Sequence, residues 1–302
     1  MIKIAYCDIY AHPLPEGHRF PMLKYELIPL QLLHVGKIIK EQLFCPAPAL
    51  ESVIVATHDP LYWEQLRDLT LPAKEQRRIG FPLTAELVER EVRIVQGTIE
   101  GALFAQAHGI AFNVAGGTHH AGSNWGEGFC LLNDQAIAAN YLLNSGLCSR
   151  ILIIDLDVHQ GNGTAEIFAD EPRVFTFSMH GDKNFPFRKE QSDLDLPLGN
   201  GIEGAAYLNL LKENLPGVVR SFQPDFVFYL AGVDVLSSDK LGKLKLSKSD
   251  ALERDRFVFE LCSSFNLPVQ VSMGGGYSAD IRDIVDAHCN TFTAGIDIFE
   301  QL

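Results

Sequence analysis

Ile151-Leu152-Ile153-Ile154-Asp155-Leu156-Asp157-Val158-His159 runs four apolar residues into acids at alternate positions and then a histidine. Branched aliphatic residues without polar alternation describe a strand buried on both faces, as in parallel sheets covered by helices. Residues two apart on a strand face the same way, so Asp155 and Asp157 project together and His159 continues the series. Two carboxylates converging at a buried strand end repel each other and are costly without a cation. Taken alone, the stretch also reads as turn formers and helix caps leading into Gly161-Asn162-Gly163, so the surrounding chain has to decide.

Further short β-branched runs are expected as buried strands at residues 2–5, 53–56, 110–114, 174–178, 226–230 and 269–273, beside 151–156. Helical patterns separate them over 23–43, 84–107, 134–143, 205–222 and 248–265. Strands alternating with helix-length segments predict a three-layer α/β/α architecture around a central, mostly parallel sheet. No repeat, low-complexity tract or linker interrupts it, so one domain over residues 1–302 is expected. Ligands in such sheets gather outside the carboxyl ends of the strands. The polar motifs Gly116-Gly117-Thr118-His119-His120, Asp157-Val158-His159, Gly232-Val233-Asp234 and Gly274-Gly275-Gly276-Tyr277 all follow expected strands.

Asp157, His159 and Asp234 together offer two oxygens and one nitrogen to a divalent ion and leave room for water or substrate, as catalytic zinc sites do. His119 and His120 supply the proton acceptor and donor that amide hydrolysis needs, and Asp155 is placed to orient one of them. Tyr277 after three glycines reads as a phenol aimed at a developing oxyanion; no lysine follows in the manner of a phosphate loop. Glu127-Gly128-Phe129-Cys130 reads either as an apolar wall beside the histidines or as an ordinary turn. Asn133-Asp134 reads as a helix N-cap.

Composition narrows the function classes. A formal charge of −13 and the lack of a basic cluster beyond 240–248 argue against direct nucleic-acid binding. An acidic surface favours cationic ligands such as lysine-rich peptides and polyamines. Cys7, Cys45, Cys130, Cys148, Cys262 and Cys289 form no CxxC pair, so a reduced cytoplasmic enzyme without a thiolate site is expected. No stretch reaches the roughly 20 apolar residues of a membrane span, and residues 1–10 lack the long apolar run of a secretory signal, so neither a span nor a signal is expected.

With these motifs in place the chain resembles the histone deacetylase superfamily, which has the arginase–deacetylase α/β fold. The resemblance rests on Gly117-Thr118-His119-His120-Ala121, Gly126-Glu127-Gly128-Phe129-Cys130, Asp155 through Gly163, Ala231-Gly232-Val233-Asp234 and Gly274-Gly275-Gly276-Tyr277, with His12-Pro13 and His18-Arg19 ahead of them. The motif variants look most like the class IV branch and its bacterial relatives. The resemblance implies Zn²⁺, with iron(II) also compatible, on Asp157, His159 and Asp234, and His120 as general base and acid with His119 as its electrostatic partner. It implies that Tyr277 polarises the carbonyl, that Gly128 and Phe129 line an acyl-lysine tunnel with Leu241 at its rim, and that Arg19 lines an internal product cavity. It also implies a structural potassium near Asp155 and Ser178. The implied substrate is an acylated lysine in a protein or peptide, with acetylpolyamines and other small acyl-amines as alternatives. Asn162 stands where many members have an aspartate beside the second histidine, which predicts a less basic His120. A binuclear manganese hydrolase on the same fold is disfavoured, because Val235 and Leu236 follow Asp234 where a second acid is needed. A catalytically silent acyl-lysine-binding module is disfavoured because every ligand and Tyr277 are present.

Overall fold

The structure, a computed structural model, describes residues 2–300. Its strands are β1 (Ile4–Ala5), β2 (Leu43–Phe44), β3 (Ile110–Asn113), β4 (Ile151–Asp155), β5 (Val174–Gly181), β6 (Leu194–Leu198), β7 (Phe226–Leu230) and β8 (Val269–Ser272). They form one sheet in the order β2-β1-β3-β8-β7-β4-β5-β6, and every neighbouring pair is parallel. The central strands β3, β4, β7 and β8 are buried along their whole length, as their unbroken apolar runs predict.

The helices are α1 (Lys24–His34), α2 (Glu51–Ile54), α3 (Pro60–Arg67), α4 (Ala73–Ile79), α5 (Ala85–His108), α6 (Asp134–Asn144), α7 (Asn162–Ile167), α8 (Gly204–Phe222), α9 (Lys248–Ser264) and α10 (Ile281–Glu300). Side-chain alternation along β3 shows that they cover both faces of the sheet. A Cβ on Gly101 of α5 would lie 3.8 Å from Ala111, whereas one on Gly295 of α10 would meet Ile110 and Phe112 at 2.9 and 2.8 Å. Neighbouring strand residues point to opposite faces, so α5 and α10 lie on opposite sides. Phe112 stacks on Phe292 of α10 with ring centroids 4.8 Å apart. The three-layer α/β/α architecture around a parallel sheet expected from the sequence is therefore the one observed.

Three expectations are corrected. Residues 53–56 are not a strand; the chain winds into α2 and a following turn, with Val55 N–H donating to Glu51 O at 2.9 Å. The β-branched run suits a strand, but β2 already occupies the sheet edge beside β1, and tertiary context overrides local preference. The helix expected over 23–43 stops at His34, since Gly36 adopts φ +68° and Lys37 N–H reaches back to Leu32 O at 2.9 Å, a Schellman end. The cysteines are not all free: Cys7 and Cys45, 38 residues apart, form a disulfide because parallel β1 and β2 bring their Cα atoms to 4.7 Å. The amphipathic helix α10 and the short elements β2, β6, α2, α3, α4 and α7 lie outside the sequence expectation. Among the described residues, no helix is long and apolar enough to cross a membrane.

Candidate metal centre and catalytic cleft

Asp157 and His159 leave the end of β4, Asp234 follows β7, and the two strands are paired neighbours. Ligand atoms of these three buried residues lie within 4.8 Å of one another. His159 Nδ1 is 3.0 Å from Asp157 Oδ1 and 3.1 Å from Asp234 Oδ2. The remaining carboxylate oxygens are held by backbone: Gly275 N–H donates to Asp157 Oδ2 at 2.8 Å and Val158 N–H to Asp234 Oδ1 at 2.9 Å. Glycine is required at this contact, because a Cβ on Gly275 would come within 2.1 Å of Asp234 Oδ2.

The donor set fits a divalent cation electrostatically. Burial opposes a charged His159, but Asp157 and Asp234 outweigh it and push the imidazole up to about 10. Burial, joined by repulsion from Asp157, pushes Asp234 up to about 7. Two buried carboxylates converging on one nitrogen thus hold more negative charge than the site balances comfortably, which a dication would answer.

His119 and His120 are buried side by side, ring centroids 4.1 Å apart. His119 Nδ1 lies 2.7 Å from Asp155 Oδ2. Burial lowers the basicity of His119, but the Asp155 charge and hydrogen bond outweigh it and the net shift is upward. His120 goes the other way, well below the ordinary imidazole value, through burial and the charges of His119 and His159. Its Nδ1 is 2.7 Å from Asn162 Oδ1, while Asn162 Nδ2 donates to Glu127 Oε1 at 2.6 Å. A carboxylate only accepts, so Glu127 fixes the amide orientation and His120 must donate from Nδ1. That leaves His120 Nε2 with its lone pair free. The negative charge that Asn162 cannot supply beside His120 sits one residue further out, on Glu127, which is itself paired with Arg78 at 2.6 Å.

Tyr277 is half-buried, with its ring against Phe20 and Phe129. Burial together with Asp234 and Asp157 raises its phenol well above the usual value, so it stays a donor. Asp239 sets its backbone, accepting from Tyr277 N–H at 2.6 Å while its other oxygen takes Leu241 and Gly242 N–H. A cleft of about 370 Å³ leads to His120, His159 and Tyr277 and is lined by Gly128, Phe129 and Leu241. Phe129 is held at φ +70° by Phe129 N–H donating to Ile79 O at 2.7 Å, a left-handed geometry costing roughly 1–2 kcal/mol for a non-glycine residue.

Arg19 is not in an internal cavity. It is exposed at the outer mouth, its guanidinium 5.0 Å from the centroid of Phe129. The inner cavity behind Asp157 and His159 is lined instead by Arg90 and Tyr25. Lys24, fully buried, donates to Gly274 O at 3.1 Å and lies 5.6 Å from the Tyr277 ring; burial pulls it down to about 8 against the pull of Asp234 and Asp157. The chain leaves β1 and reaches α1 by a route that turns Phe20 inward and Arg19 outward, which spacing alone does not reveal. Asp155 and Ser178 are register partners on β4 and β5, with Ser178 Oγ 2.9 Å from His180 Nδ1.

Sequence reasoning missed the supports of this site. Asn133 caps α6 through Ala136 N–H at 3.0 Å, as expected, but its Nδ2 also holds Ala121 O at 3.1 Å. Asp134 accepts from Thr118 N–H and Oγ1, Thr98 Oγ1 and Ser272 Oγ, tying α5 and β8 to the histidine loop. An acid directly after a capping asparagine was the available signal, and it does not distinguish a cap from a hub.

The chain is similar in sequence and in fold to known proteins. A family profile described as "Histone deacetylase domain" matches residues 18–292. An uncharacterized protein of Picosynechococcus sp. is 45% identical over 296 residues, covering 98% of this chain and 99% of that protein. Histone deacetylase 2 of Arabidopsis thaliana is 31% identical, covering 96% of this chain and 77% of its own. Among solved structures, an HDAC homolog from Aquifex aeolicus superposes with TM-score 0.82 at 26% identity, over 96% of this chain and 82% of that one. An HDAC homolog complexed with SAHA superposes with TM-score 0.83 at 26% identity, over 99% and 84%. Agreement in sequence and in fold over nearly the whole length leaves one assignment: the chain belongs to the histone deacetylase family.

Proposed function

We propose that the protein is a zinc-dependent amidohydrolase that removes acetyl or longer acyl groups from the ε-amine of lysine in proteins or peptides. The observation that carries this reading is the convergence of Asp157, His159 and Asp234 at the base of a cleft that also presents His120 and Tyr277. Asp157, His159 and Asp234 would hold the ion, and bound there it supplies Lewis-acid polarisation of the amide carbonyl and acidifies the attacking water.

The chain's own groups do the rest. Gly128, Phe129 and Leu241 enclose the lysine methylenes, and the apolar walls exclude water from the bond to be cleaved. Tyr277 O–H donates to the carbonyl oxygen as charge builds there. His120 Nε2 takes a proton from the attacking water and delivers it to the lysine nitrogen as the C–N bond breaks, giving a carboxylic acid and an amine, and the acid's proton then passes to the amine to leave carboxylate and ammonium. His119, whose charged form Asp155 favours, lowers the basicity of His120 so that it releases that proton readily. The carboxylate product would leave past Arg90 in the inner cavity, and a potassium ion near Asp155 and Ser178 belongs to the same proposal.

A panel of acetyl-lysine, myristoyl-lysine and acetylpolyamine substrates on one zinc-loaded preparation tests the reading. Turnover of the lysine peptides, with one metal ion per chain, is expected. Strong preference for acetylpolyamine overturns the substrate assignment, and two ions per chain overturn the mononuclear chemistry.

A further inference from the structure

The chain and its cleft carry charge of opposite sign. The sequence has 38 acidic against 25 basic residues, yet among the described residues the cleft is lined by Arg19, Arg77, Arg78, Lys183 and Lys243 and by no aspartate or glutamate. Two of these cations are already answered, Arg78 by Glu127 at 2.6 Å and Lys183 by Asp182 at 2.8 Å. Arg19, Arg77 and Lys243 are exposed and have no carboxylate partner among the described residues.

Their positions are built rather than incidental. Arg77 and Arg78 lie at the end of α4, which is fastened to the cleft wall by Gly128 N–H donating to Arg78 O at 3.1 Å and Phe129 N–H to Ile79 O. Arg19 packs on the same Phe129. Lys243 belongs to a second segment: its Nζ donates to Lys183 O at 2.6 Å, and Asn184 Nδ2 donates to Leu241 O at 2.8 Å in the same loop pair. Phe187, which also lines the cleft, stands 89% exposed, an apolar surface for whatever lies across the mouth.

On the lysine-deacylase reading, we propose that this rim selects acyl-lysine segments in which aspartate or glutamate flanks the modified lysine, with Arg19, Arg77 and Lys243 as the contacting cations. Only one side chain of such a substrate enters the cleft, so its sequence neighbours must lie over the rim. Carboxylates there meet unpaired cations, whereas basic flanks meet like charge. An acetylpolyamine carries further ammonium groups and meets the same repulsion. A nucleic acid has the right sign but needs a broad basic face, and a net charge of −13 repels a polyanion everywhere else. The cationic partner that composition suggests is thus reversed at the one place where the substrate touches.

The test uses fluorescence anisotropy of labelled acetyl-lysine hexapeptides with acidic, neutral or basic flanks, alongside their turnover by zinc-loaded enzyme. The acidic peptide is expected to bind about tenfold tighter than the neutral one at 0.01 M salt, where the Debye length is about 30 Å, and less than about twofold tighter at 1 M, where it is about 3 Å. Paired charge reversal, Arg77→Glu with Lys243→Glu, should invert the acidic-to-neutral ratio; circular dichroism checks that the variant is folded. Equal binding of all three peptides, or a ratio unmoved by charge reversal, overturns the rim assignment. So does an oligonucleotide of equal charge that binds as tightly as the acidic peptide. Turnover without charge preference refutes the rim alone, while charge preference with no turnover of any peptide supports the rim and refutes the deacylase reading.

Discussion

Replacing His58 with glutamine should change the pH dependence of stability, because His58 is built into the protein as a neutral ring. It is 1% exposed; Nδ1 lies 2.9 Å from Gly122 O and Nε2 accepts from Asn133 N–H at 3.0 Å. Only the tautomer protonated at Nδ1 satisfies both partners, since a second proton on Nε2 would face the Asn133 N–H. Burial accordingly lowers the imidazole from 6.5 to about 4. The unfolded chain binds more protons at this position than the folded one, so the His58 contribution is present above about pH 6.5 and is lost as pH falls toward 4. A shift of that size corresponds to about 3 kcal/mol in full, of which about 2 kcal/mol disappears between pH 7 and pH 5. Glutamine can donate and accept but does not titrate. Urea denaturation of wild type and His58→Gln should therefore show wild type losing about 2 kcal/mol more than the variant between pH 7 and pH 5. A gap that stays constant between the two pH values would refute a neutral, doubly bonded His58. The consequence reaches the site, because Gly122 and Asn133 anchor the chain just after His120.

Tyr277→Phe should lower kcat by about 10²–10³, the usual effect of losing one oxyanion donor, with metal content by elemental analysis unchanged; retained activity would remove the phenol from the chemistry. Glu127→Gln keeps the hydrogen bond to Asn162 but removes the charge behind it, and steady-state kcat/KM should fall about tenfold; an unchanged value would reduce Glu127 to a partner of Arg78. Gly275→Ala places a methyl group 2.1 Å from Asp234 Oδ2, so zinc affinity in a chelator competition should drop about 10–100-fold, and wild-type affinity would contradict the carboxylate placement.

The sheet core and the candidate ligand set Asp157, His159 and Asp234 were legible in the sequence because both follow from local periodicity. Apolar runs without alternation marked β3, β4, β7 and β8, and spacing by two put Asp157 and His159 on one side of a strand end. That Asp234 meets them required only that two such strands be neighbours. The positions of Arg19 and Lys24 depend on how an irregular segment enters α1, and no period governs that path. The disulfide of Cys7 and Cys45, the orientation of Asn162 by Glu127, and the hub at Asp134 each join residues far apart in the chain. The sequence by itself determined the layered fold and the chemistry of the donor set, since strand pattern and ligand type are properties of short stretches. Only the tertiary structure decided which charges line the mouth, which cation lies behind the site and which tautomer His120 adopts, because those follow from long-range packing of side chains into shared, water-poor space.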